Sequence, residues 1–181
     1  MSFSLALTIL TVILVHGLGH SLAAACVGIR FRRVRLTATG FRLMTPQAYP
    51  SYRAEAITAL GGPLANILSA VLVPHLLPSY TAFVSLSLYL GLLNLLPLRG
   101  FDGGTILSCV LCARHPPIPS LLPGSAERVI SAVSALVLFL LWMVSVYLLL
   151  RRGSALSLYA FCLQLFRTVF VEQRQEHRAD F

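Results

Sequence analysis

The run TVILVHGLGHSLAAACVG, residues 11 to 28, carries two histidines four residues apart in an otherwise apolar stretch. On a helix, positions i and i+4 share a face. His16 and His20 can therefore offer two imidazole nitrogens to one ion. The spacing is that of H-E-x-x-H, in which the histidine pair holds zinc and the intervening glutamate acts as general base. In this chain the glutamate position is Gly17. The alternative is a pair of polar side chains packing against neighbouring helices. Ionisable groups inside membrane segments are rare and cluster at functional sites, which weighs against that alternative.

A catalytic zinc site needs a third protein ligand. The chain has six acidic residues, and of these Glu55 and Asp102 precede residue 127. Asp102 lies in LLNLLPLRGFDGGTIL, residues 92 to 107, after an apolar span that ends on the same side of the membrane as His20. It is a candidate third ligand, or else an ordinary N-cap of a helix over 103–112. Gly103 and Gly104 permit a tight turn or a close helix approach there. In ALGGPLANI, residues 59 to 67, Gly-Gly-Pro falls in mid-span, where freed backbone groups are tolerated if they are buried in protein or line a cavity. Asn66 and Asn94 are intramembrane amides. They are either helix–helix contacts of about 1 kcal/mol or less, or donors facing a polar site.

These residues need elements to hold them. The chain is 181 residues long, 57% hydrophobic and 11% charged, with a mean hydropathy of +0.82. A soluble core of this size could not hide so much apolar surface. The runs 3–27, 54–77, 80–98, 129–150 and 155–171 approach the roughly 20 residues that cross a bilayer. The expected fold is an all-α polytopic membrane protein with about five transmembrane helices. Residues 29–46 alternate apolar and basic side chains around Gly40, which predicts a small β-hairpin after the first helix. The first run lacks a basic n-region and is too long for the apolar part of a signal peptide, so it reads as a permanent helix. One membrane-embedded domain over 1–181 is expected.

The net charge of +8 is carried by arginine. The arginines flank apolar spans, as membrane topology demands, so a nucleic-acid partner is not expected and the lipid bilayer is. Cys109 and Cys112 form a C-x-x-C without a second pair to complete a zinc site, and they read as small buried hydrophobes. His20 lies about eight residues from the end of its helix, or roughly 12 Å below the surface, within reach of water.

His16-x-x-x-His20, GGPLAN and NLLPLRGFDGG stand in an order and spacing that resemble the site-two protease family of intramembrane zinc metalloproteases. The compact form with a hairpin after the histidine helix looks most like its stage IV sporulation protease branch. The resemblance covers about residues 10–108, with C-terminal helices over 127–171. It implies one zinc ion held by His16, His20 and Asp102. It implies that Asn94 orients the substrate or stabilises an oxyanion, and that Asn66, Gly62 and Pro63 shape the cleft. It also implies a multi-pass protein of the bacterial cytoplasmic membrane that cuts membrane-protein substrates near the cytosolic face.

Two positions depart from the family pattern. Gly100 stands where the family has a second proline, and Gly100→Pro is expected to stiffen the loop that presents Asp102. Gly17 stands where the family has its general base, and loss of acid–base catalysis typically costs about 10²–10⁴-fold. The functional expectation is therefore a peptidase with doubtful turnover. The alternative is a pseudoprotease that binds a membrane helix or partner without cutting it.

Six arginines (30, 32, 33, 35, 42 and 53) lie between the first two spans. The positive-inside rule puts that segment in the cytoplasm and the N-terminus outside. In intact cells, Thr39→Cys is expected to resist an impermeant thiol reagent. Strong labelling there would invert the topology and move the histidine pair to the other leaflet.

Overall fold

The structure is a computed structural model that describes residues 3–29, 33–37, 40–44, 51–76, 80–114, 124–152, 160 and 163–166. The elements in order are α1 (Phe3–Cys26), β1 (Arg33–Thr37), β2 (Gly40–Met44), α2 (Tyr52–Leu76), α3 (Thr81–Asn94), α4 (Asp102–Arg114) and α5 (Gly124–Arg152).

The five-span expectation needs correction. Among the described residues three helices, α1, α2 and α5, are long and apolar enough to cross a membrane. The apolar helices α3 and α4 have 14 and 13 residues, or roughly 20 Å of length at the helical rise, short of a ~30 Å hydrocarbon core. The run 80–98 is not one span, because α3 stops at Asn94 and the chain turns over residues 95–101 into α4. Pro97 cannot donate to a continuing helix, and Gly100 takes φ +83°, a left-handed conformation natural to glycine. Proline is locked near −65°, so Gly100→Pro would break this turn rather than stiffen it. The run 155–171 lies outside the described residues apart from Ala160 and 163–166.

Apart from one two-stranded pairing, the packing of this fold is between helices. Arg33–Thr37 does pair antiparallel with Gly40–Met44, but two five-residue strands are marginal on their own. Their contacts are chiefly with each other. Residues 30–32, 38–39 and 45–46 of the expected hairpin lie outside the described residues.

α1 ends where the sequence places its stop. Gly28 has φ +77°, its N–H donates to the Ala25 carbonyl, and the Ile29 N–H reaches back to the Ala24 carbonyl at 2.9 Å. That is the Schellman pattern, which satisfies the last carbonyls of the helix. α2 is the hub, packing against α1, α3 and α4. It runs through Pro63 without ending. Gly19 of α1 and Gly61 of α2 face each other so closely that a Cβ on Gly61 would lie 2.5 Å from both the Gly19 carbonyl oxygen and the Ala23 Cβ. Small residues that let backbones touch are how helices associate without a hydrophobic driving force between them.

The 95–101 turn is anchored by α5. The Ser134 hydroxyl accepts from the Arg99 N–H at 3.1 Å and donates to the Pro97 carbonyl at 3.4 Å. Leu98, fully buried, packs with Leu138 and Leu165. Ser134→Ala removes a partner from two backbone groups at once, at a cost of about 1–3 kcal/mol. We expect a lower thermal midpoint for detergent-solubilised Ser134→Ala. Ser87→Ala should cost less, because the buried Ser87 hydroxyl has no hydrogen-bond partner.

Candidate metal centre

His16 and His20 lie on the face of α1 that meets α2, with ring centroids 4.7 Å apart and planes at 88°. Gly62 of α2 makes room for them. A Cβ there would meet His20 Nε2, and would stand 2.7 Å from its Cε1 and 2.8 Å from Cε1 of His16. The sequence put Gly62 in a mid-span break and the resemblance put it in the cleft wall; in the structure it lies beneath two imidazoles.

Asp102 opens α4, where the helix dipole favours a negative charge. Its Oδ2 lies 3.3 Å from Nε2 of His16 and 3.4 Å from Nε2 of His20. The two Nε2 atoms are 3.1 Å apart. Although both nitrogens are at ion-pair distance, Oδ2 is buried and makes no hydrogen bond. These are close approaches without donor alignment. The histidines face each other and Asp102, and Asp102 turns its carboxylate to them.

Three donor atoms thus form a triangle with edges of 3.1, 3.3 and 3.4 Å. A tetrahedral ion with N and O ligands at about 2.0–2.1 Å has edges of about 3.3–3.4 Å. Two imidazoles and a carboxylate whose inward oxygen lacks a hydrogen-bond partner suit zinc, with a fourth position left for water or substrate. Among the described residues these three form the one group able to hold a metal.

The supporting contacts come from α2. His20 Nδ1 lies 2.7 Å from the Thr58 carbonyl oxygen. A carbonyl only accepts, so Nδ1 carries the proton and Nε2 is left bare for a ligand bond. On the other side, Nδ2 of the fully buried Asn66 lies 3.3 Å from His16 Nδ1. The remaining sequence candidates stand apart from the triangle. The Asn94 side chain donates to the Leu90 carbonyl of its own helix at 2.9 Å. Gly17 has open space, and a Cβ there meets nothing within 4 Å. Sequence reasoning missed Thr58, which acts through its backbone and leaves no side-chain signal. It also missed Ser134, an ordinary serine in an apolar helix.

Comparison with known proteins agrees with this geometry. No protein-family model matches the chain. It is 32% identical over 125 residues to the "Putative zinc metalloprotease Rip3" of Mycobacterium tuberculosis, in the Erdman and H37Rv strains alike, covering 61% of this chain. The chain is thus similar to a zinc metalloprotease over part of its length. It spans 31% of the length of those relatives. The fold of the Site-2 Protease from Methanocaldococcus jannaschii superposes with a TM-score of 0.60 at 20% identity, over 88% of this chain and 73% of that one. A His-x-x-x-His helix met by an Asp-Gly-Gly turn is the arrangement the motifs imply.

Metal analysis of the purified full chain is expected to find about one zinc per molecule, lost in His16→Ala and in Asp102→Ala. Retention in both variants would remove the site. Gly62→Val should lose zinc too, although it alters no ligand.

Proposed function

We propose that this chain is a zinc centre of the site-two protease type, in the cytoplasmic membrane of a bacterium, that engages helices of membrane proteins and whose turnover is held low by Gly17. The observation that carries the reading is the contrast within one turn of α1. His16 and His20 meet Asp102 at zinc-like spacing, while the position between them that should hold a base carries no side chain and faces open space.

When bound, zinc would polarise a peptide carbonyl and lower the pKa of a bound water to about 7. His16, His20 and Asp102 would hold it. Gly62 and Pro63 would wall the cleft on the α2 side. Asn94 would have to release the Leu90 carbonyl before its amide could donate to a developing oxyanion. No group at position 17 takes the proton from water or hands it to the leaving amine, so the chain supports binding better than cutting. That same absence favours a second reading, a pseudoprotease that retains a membrane helix without cleaving it.

A cleavage assay on a membrane-protein substrate, comparing the native chain with Gly17→Glu, tests the proposal. A Cβ at position 17 meets nothing within 4 Å. The gain expected is about 10²-fold or more, the size of the acid–base contribution. A native chain that already cuts as well as Gly17→Glu would show that another group serves as base, and the proposal would fail. If both forms bind zinc and a substrate helix but neither cuts, the pseudoprotease reading stands.

A further inference from the structure

We infer that Asn66 is a positioning residue for His16, and that its carboxamide oxygen accepts the His16 Nδ1 proton when the site holds its metal. The inference rests on the zinc reading above and adds the group that selects the ligating tautomer.

A neutral imidazole carries one ring proton, and the nitrogen without it carries the lone pair. Ligation through Nε2 requires the proton on Nδ1, and a buried N–H needs an acceptor. His20 has one in the Thr58 carbonyl at 2.7 Å, so its tautomer is settled by the backbone. The neighbour of His16 is a different kind of group. Asn66 is fully buried, its Nδ2 lies 3.3 Å from His16 Nδ1, and its Oδ1 has no hydrogen-bond partner.

A carboxamide faces a ring nitrogen either as donor or as acceptor, because a half-turn about its last bond exchanges oxygen and nitrogen almost in place. With Nδ2 toward the ring, His16 Nδ1 must accept and Nε2 carries the proton. That N–H then points into the triangle, toward His20 Nε2 at 3.1 Å, and His16 cannot ligate. With Oδ1 toward the ring, His16 Nδ1 donates, Nε2 is bare, and the orphaned oxygen gains a partner. The amide suits both states of the site, holding the metal-free pair by donating and the loaded pair by accepting. An apolar side chain here could do neither. α2 thus orients both imidazoles, His20 through a carbonyl that no substitution removes and His16 through a side chain that one substitution does.

The test compares zinc affinity, by competition with a chromophoric chelator, in the full chain, Asn66→Ala and Asn66→Asp. Loss of an outer partner of a ligating histidine typically weakens metal binding about 10–100-fold, and that is the loss expected for Asn66→Ala. Asn66→Asp keeps an acceptor, so it should bind within a few-fold of the parent. A purely structural role predicts comparable losses in both, because both disturb the same packing. Equal losses, or parent-like affinity in Asn66→Ala, would overturn the inference. A second measurement needs no variant. Nitrogen-15 histidine NMR of the parent should show His16 protonated on Nδ1 once zinc is added, and an Nε2-protonated His16 in the loaded protein would also overturn it. If the parent takes up no zinc, the zinc reading fails and this inference with it. If the parent binds zinc and only the Asn66 results go the other way, the zinc reading survives alone.

Discussion

Two imidazole nitrogens and a carboxylate oxygen within 3.4 Å of one another are an unfavourable arrangement in an apolar interior. Their lone pairs and negative charge repel unless a proton or a cation lies between them. Such a triangle persists only where the surrounding structure compels it. Here three helices share that task. α1 supplies both histidines at i and i+4, α4 supplies the aspartate from its first residue, and α2 packs against both.

The compulsion depends on how closely the helices meet. Gly19 and Gly61 let the backbones of α1 and α2 touch, and Gly62 leaves the space that the imidazoles occupy. Side chains at these positions would move the helices apart by more than the few tenths of an ångström that a metal site tolerates. The Asp102 side of the triangle is held differently. It depends on a turn, 95–101, whose backbone groups are satisfied within the turn and by Ser134 of α5. A turn at membrane depth is tolerated only when protein surrounds it, and Leu98 with its neighbours Leu138 and Leu165 provides that cover. The C-terminal helix therefore supports the metal site without contributing a ligand to it.

Gly17 shows how separable the parts of such a site are. Metal binding depends on three ligands and their outer partners, all present and all in contact. Proton transfer depends on one further side chain, whose position is open. A helix offers its face one residue at a time, so the residue at position 17 can vary without disturbing the geometry of the histidines in the same turn.

The histidine pair, Asp102 and the end of α1 at Gly28 were legible in the sequence, because each depends on local rules: helical spacing, the scarcity of acids in an apolar chain, and a glycine stop. The membrane class followed from composition. The number of spans was not legible. Hydropathy sees residues 80–98 as one apolar run and cannot see that Gly100 adopts a positive φ, which turns the chain back and makes proline the wrong residue there. Nor could the sequence show that Asp102 meets the histidine pair or that Asn66 meets His16. Those meetings are contacts between residues 38 to 86 positions apart, which exist only once α2 has brought α1 and α4 together. Thr58 marks the limit most plainly, because what it offers His20 is a backbone carbonyl, which every residue has and only the fold can aim.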